Sequence, residues 1–260
     1  MRPADEHPLT GGNVSDFVVR VGHTVRRPAI GSTPAVAAFL QHLEHAGFLH
    51  APRWLGIDDI GRQTLSWVPG AISSVPGATQ HDFGPMDARG LHQVGGIVRE
   101  LHDASATFRP PKGARWDVAI PPDRCDLVVH HDLAPWNLVV DGAELTFIDW
   151  DNCGPGSRLW DLAYAAHGFA LSDAIADPSA AADRLTVLVD AYRLDRPGRR
   201  DLVPLLARRT RSMLDLLVSG HRTGAQPWAR LYAEGHADHW GPISDFLAKN
   251  EVVWAHALGV

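Results

Sequence analysis

The sequence predicts an α+β chain of two lobes, a small strand-rich one with a single helix followed by a larger, mainly helical one. Three observations carry this. Residues 1–68 alternate short β-like runs with turns and hold one helical stretch; residues 71–86 form a loop rich in Pro, Gly and Ser; and beyond it apolar residues recur mostly at helical spacing. With 260 residues the chain is long enough to bury a sizeable core in both parts. The expected division is an N-terminal lobe over 1–68 and a C-terminal lobe over 69–260.

In the small lobe, residues 16–29 read as a hairpin, "DFVVRV" and "TVRRPA" joined at Gly22-His23. Thr33-Pro34 supplies an N-cap and a proline at the first helical position. The helix that follows puts Val36, Phe39, Leu40 and Leu43 on one face and stops at Gly47. "RWLGID" and "QTLSWV" are two further strands, turned around Asp59 to Gly61. In the large lobe, Leu91, Val94, Ile97, Val98 and Leu101 predict an amphipathic helix over 87–105. "DLVV" at 126–129 is a strand, and "NLVV", Asp141-Gly142 and "LTFI" form a second hairpin. After "GPGS" helices run to the end, with breaks expected near Pro178, Pro197, Gly220 to Pro227 and Gly241-Pro242.

Composition narrows the function classes. The formal net charge is −6 without a Lys/Arg-rich block, so no nucleic-acid partner is expected. No run reaches the length of a membrane span, and "MRPADEHPLTGG" has no apolar signal segment. Two cysteines, Cys125 and Cys153, suit packing positions in a reduced cytoplasm better than a disulfide framework, so a cytoplasmic setting is expected. No His/Cys spacing of the structural zinc kind is present.

The chemistry concentrates in "HHDLAPWN", residues 130–137, and in "FIDWD", which closes the next hairpin. A polar loop between apolar strands can present Asp132 and Asn137 together, and the hairpin can return Asp149 to the same end. Carboxylate and amide oxygens are hard ligands suited to Mg²⁺ that shares a substrate phosphate. A carboxylate left free can orient a hydroxyl and accept its proton. Protein kinases give these duties to an Asp, an Asn five residues on, and an Asp beyond the next strand pair; Asp132, Asn137 and Asp149 stand in that order. Each residue also has an ordinary structural reading: Asp132 and Asn137 as turn residues, Asp149 as a cap, His130 as a satisfied histidine, and Trp136 and Trp150 as core.

Together "HHDLAPWN" and "FIDWDNCGPGSRLWDLA" resemble the aminoglycoside phosphotransferase family, which shares the protein-kinase-like fold with choline kinases and other small-molecule kinases. "TVRRP", "FLQHLEHAGF", "PRWLG" and "LSWVPG" extend the resemblance through the small lobe. The resemblance implies ATP or GTP as donor and Mg²⁺ as cofactor. Asp132 would be the catalytic base, with Asn137 and Asp149 holding the metal. His130 would brace the loop, and Asp161 would cap its amides from the following helix. Arg27 would contact phosphate, with Arg26 as its competitor because a one-residue register error exchanges strand faces. Gly11 and Gly12 would cover the phosphates, and backbone groups of Ser66, Trp67 and Val68 would read the base. His131 and Asp151 are candidate substrate residues, although Asp151 also reads as a solvated carboxylate. Val36 stands where the family's small-lobe helix carries a Glu, so Arg27 lacks the partner usual for that cation.

The acceptor implied is a small-molecule hydroxyl compound. Acids such as Asp151 and Asp238 would favour amino groups on it, as in an antibiotic or other natural product. A housekeeping amino alcohol, sugar or nucleoside is the alternative within the same chemistry. A non-catalytic immunity or binding protein is the alternative outside it, because some family members resemble immunity proteins.

Overall fold

The computed structural model describes residues 6–9, 17–72, 86–172 and 177–260. The small lobe is a five-stranded antiparallel sheet in the order β1-β2-β3-β5-β4. Its strands are β1 (Glu6–Pro8), β2 (Val19–Val21), β3 (Thr24–Pro28), β4 (Trp54–Ile57) and β5 (Arg62–Ser66), with helix α1 (Thr33–His45) between β3 and β4. The Gly22-His23 turn joins β2 to β3 as the sequence predicts, and it places Arg27 opposite Gln63 and Arg26 opposite Thr64 on β5. β1 was not legible in the sequence: it is short and exposed, and it pairs only with β2.

Helix α1 differs from expectation at its start. It begins at Thr33 with Ser32 in the capping position and no side-chain cap. The Thr33 hydroxyl instead accepts from the Ile30 backbone N–H at 2.8 Å, tightening the turn before the helix. Its end follows the sequence. Gly47 adopts φ +81°, which a glycine accepts at little cost, and the Phe48 N–H reaches back to the Leu43 carbonyl.

The large lobe opens with β6 (Ala71–Ile72) and helix α2 (Ala88–Ser105), capped where the Asp87 carboxylate accepts from Gly90 N–H at 2.7 Å. Strands β7 (Leu127–Val129), β8 (Leu138–Asp141), β9 (Glu144–Phe147) and β10 (Gly154–Gly156) form two small sheets, β6-β8-β9 and β10-β7. β10 is the "GPG" of the stretch that precedes the helices, which the sequence reading did not identify as a strand. Its glycines let it run close: a Cβ on Gly156 would stand 2.6 Å from Val129 and 2.9 Å from the His131 ring. Helices α3 (Arg158–Ala166), α4 (Pro178–Ala191), α5 (Arg196–Thr223), α6 (Trp228–Ala233), α7 (Ala237–Lys249) and α8 (Glu251–Ala257) follow, and a π-helical turn, His167–Leu171, extends α3. The break expected at Gly241-Pro242 does not occur; α7 runs through it. Burial of Trp240, Ile243 and Leu247 on one face outweighs the amide bond lost at proline.

The lobes share a core. Phe39 and Leu43 of α1, Leu91, Val98 and Leu101 of α2, and Phe147 and Trp150 beyond the hairpin belong to one buried cluster. Each such side chain contributes about 1.5–3 kcal/mol relative to exposure. A smaller cluster of Ala134, Tyr164, Leu217, Leu231 and Trp240 lies beside the loop at 130–137. Among the described residues no helix is long and apolar enough to cross a membrane.

Candidate active site

The loop between β7 and β8 is fixed from below by Asp161 on α3. This carboxylate is fully buried. It accepts from the His131 N–H at 2.7 Å, from the His130 N–H at 3.3 Å and from His102 Nε2 at 3.1 Å. Burial pushes its pKa up, but the His102 hydrogen bond and the surrounding imidazoles win, so the carboxyl lies below its ordinary range. His102 on α2 is itself held by the Tyr192 hydroxyl at 2.9 Å. Asp161 thus accepts from two successive amides of the loop.

His131 turns the chain at φ +67°, a conformation uncommon for a side-chain-bearing residue. Its peptide is gripped on both sides, the N–H by Asp161 and the carbonyl by Arg209 Nη2 at 2.9 Å. Its Nε2 donates to the Pro155 carbonyl at 3.0 Å on β10. Burial lowers its pKa, so the ring is neutral at pH 7. The residue is 2% exposed. His130 links the two halves of the site. Its Nδ1 accepts from the Asp132 N–H at 3.2 Å and its Nε2 donates to the Ile148 carbonyl at 3.1 Å. The ring stands edge-on to Trp150, with centroids 4.5 Å apart.

Asp132 follows directly. Its carboxylate accepts from Asn137 Nδ2 at 2.8 Å, and the same amide reaches the Asp132 carbonyl at 3.0 Å. Asn137 ends a 3₁₀ turn at Pro135–Asn137, and its own carbonyl accepts from Ile148 N–H at 2.8 Å, which ties the loop to the returning hairpin. Burial raises the Asp132 pKa; the Asp149 charge adds to this, while His130, Tyr164 and Asn137 offset part of it. Burial, and then the Asp132 charge, push the Tyr164 hydroxyl well above its ordinary range, so it stays protonated.

Asp149 stands two residues past β9, in the left-handed region at φ 61° and ψ 65°. That turn and the 3₁₀ turn Trp150–Asn152 bring Asp149 and Asp151 to the same cation. Arg27 Nη1 lies 2.8 Å from Asp149 and Nη2 lies 2.7 Å from Asp151. Burial disfavours the charge on Arg27, but the two carboxylates prevail and its pKa is raised. Arg26, on the opposite strand face, points to Asp58 at 3.4 Å. Asp151 is thus an ion-paired, mostly buried group, not the solvated carboxylate of the sequence reading.

Elsewhere the expected residues divide. Gly11 and Gly12 lie outside the described residues, as do residues 73–85 of the loop. The Ser66 N–H is bound to the Arg53 carbonyl and the Trp67 N–H to the His23 carbonyl; Val68 follows the end of β5. Asp238 is exposed in the first turn of α7. Trp150 is core, and Trp136 packs half-buried on the second cluster. Cys153 is buried as expected, but Cys125 is exposed. Among the described residues no three His, Cys, Asp or Glu side chains are disposed to hold a metal by themselves.

Sequence reasoning missed Tyr164 and Arg209. Arg209 is 2% exposed. Its guanidinium lies 4.2 Å from the Tyr164 ring centroid. The available signal was its spacing: it continues the buried stripe Leu202, Leu205 and Leu206 of α5, where a charged residue needs a reason.

Residues 114–202 match the family model described as phosphotransferase enzyme family. The trifolitoxin immunity protein of Rhizobium leguminosarum bv. trifolii is 32% identical over 216 residues, 78% of this chain and 79% of that protein. A choline/ethanolamine kinase family protein from Mesorhizobium loti superposes with a TM-score of 0.62 at 18% identity, over 99% of this chain and 92% of its own. An amicoumacin kinase solved with AMP-PNP and Ca²⁺ gives 0.66 at 13% identity, over 94% and 89%. At those identities the structural likeness is one of fold, an N-terminal antiparallel sheet and a mostly helical remainder of the protein-kinase-like kind. The family match, the relative that shares most of its length and the common fold converge: this chain belongs to the phosphotransferase enzyme family.

Proposed function

We propose that the protein is a Mg²⁺-dependent small-molecule kinase that transfers the γ-phosphoryl of ATP or GTP to a hydroxyl of a natural product. The observation that carries this reading is the Asp132 carboxylate, held by Asn137 Nδ2 at 2.8 Å and lying within the field of Asp149. In this reading residues 1–68 serve the nucleotide and 69–260 supply the catalytic loop and the acceptor cleft. Asp132 orients the acceptor hydroxyl and accepts its proton as the new O–P bond forms. Tyr164 and Asn137 steady the carboxylate, and His130 keeps it in register with Asp149. Arg27 contacts phosphate, and Gly11 and Gly12 lie over the phosphates.

The residues suit the metal. Asn137 donates through Nδ2, which leaves its Oδ1 as a ligand, and Asp149 binds Arg27 through Oδ1, which leaves Oδ2. Two hard oxygens, with water and phosphate completing the shell, match the way Mg²⁺ binds in nucleotide sites. When bound, Mg²⁺ supplies charge neutralisation of the phosphates.

An antibiotic or toxin as acceptor is supported by a neighbour that is an amicoumacin kinase and by a relative that is an immunity protein. The relative's name also favours a second reading, immunity by binding without transfer. Calorimetric titration of ATP and GTP, with and without Mg²⁺, into the wild type and Asp149→Ala separates the two. Metal-dependent binding that the substitution abolishes is the expected result. A folded wild type that binds neither nucleotide would leave the binding reading in its place.

A further inference from the structure

Arg27 is buried where the two lobes meet, and its fork divides between carboxylates two residues apart in the chain. These are not equivalent. The Asp149 side chain is 40% exposed, on the side where metal and phosphate would arrive; that of Asp151 is 19% exposed. The Asp151 oxygen that binds Arg27 also lies 3.4 Å from Gln63 Nε2, and Gln63 faces Arg27 directly across β3 and β5. The Gln63 amide donates to the Pro28 carbonyl as well, at 3.3 Å. The turn carrying Asp151 is pinned where the Asn152 side-chain oxygen accepts from Ala119 N–H at 3.1 Å. On α1, Val36 is 1% exposed in the apolar core and offers Arg27 no charge.

We propose that Asp151 is the positioning residue that holds Arg27 for the nucleotide phosphates, so that the anchoring charge sits behind Asp149 rather than on the small-lobe helix. This rests on the phosphotransferase reading above. A guanidinium can satisfy two carboxylates at once through its planar fork. A metal on the free Oδ2 of Asp149 would draw that carboxylate's charge away from Arg27. Asp151, held from the inner side by Gln63, then keeps the cation charged and in place. Asp151 acts through Arg27 and touches neither phosphate nor metal.

The test is Mg·ATP and Mg·GTP affinity by calorimetry for wild type, Asp151→Asn, Asp151→Glu, Arg27→Met and Arg27→Met/Asp151→Asn. Asp151→Asn is expected to weaken binding by about tenfold or more, as loss of a partner in a buried charge pair does. Asp151→Glu, which keeps the charge, recovers most of it. The double variant is expected to bind no worse than Arg27→Met alone, because two changes on one coupled pair do not add. Wild-type affinity in Asp151→Asn, or losses that add in the double variant as a direct metal ligand would give, overturns the inference. If Asp151→Asn does not fold, recovery of the fold in the double variant supports the pairing, and continued failure overturns it. A folded wild type that binds no nucleotide removes the phosphotransferase reading itself, and that failure shows without any substitution.

Discussion

The two halves of the site are held by different physics. Around His130 to Asp132 the chain is fixed by short, buried hydrogen bonds from α2, α3 and α5, and Asp161 alone satisfies two backbone amides and an imidazole. Around Asp149 and Asp151 the carboxylates share a cation from the other lobe, Arg27, and Asp149 remains 40% exposed. A hydrogen-bonded loop is costly to disturb but indifferent to salt and ligand. An ion-paired loop can exchange its partner for a metal or a phosphate. The first half suits a base that must not move, the second a site that must be filled and emptied.

Substitutions can break or sharpen this contrast. The largest expected effect on function is that of Asp132→Asn, which removes the proposed proton acceptor and leaves the surrounding bonds nearly intact. Turnover of an acceptor found by hydroxyl screening should fall about 10²- to 10⁴-fold, with Mg·nucleotide affinity unchanged by calorimetry. Wild-type turnover in this variant would remove Asp132 from the chemistry.

Asp161→Ala tests the rigid half. It strands the amides of His130 and His131 and should cost about 3–5 kcal/mol in chemical denaturation, as loss of a buried charged partner does. The linkage has a definite sign. The folded Asp161 pKa lies below 3.8, so its contribution is present above that value and is lost as pH falls through the lower folded value. Wild-type stability should therefore drop below about pH 4, and Asp161→Ala should lack that part of the drop. An unchanged acid transition in the variant would count against the brace.

The smallest effect is expected at Arg26→Ala, which breaks a partly exposed pair with Asp58. It should alter stability by no more than about 1 kcal/mol and leave nucleotide affinity at the wild-type value. A large loss of affinity here, with none at Arg27, would exchange the roles of the two strand faces.

Local pattern alone determined much of this molecule. Strand alternation put Arg26 and Arg27 on opposite faces, the spacing of Asp132, Asn137 and Asp149 marked the loop and hairpin that the structure brings together, and apolar periodicity drew α2. These are short-range properties, set by residues within a turn or a strand pair of one another. Tertiary structure alone decided the partners. Arg27 meets Asp149 and Asp151 across more than 120 residues, and Arg209 reaches the His131 carbonyl across 78. Helix α7 passes through Pro242 because its apolar face is buried, and "GPG" becomes a strand because β7 lies alongside it. A charge can be read from a sequence, but the group that balances it is chosen only when the chain closes and burial makes an unpaired charge too costly to keep.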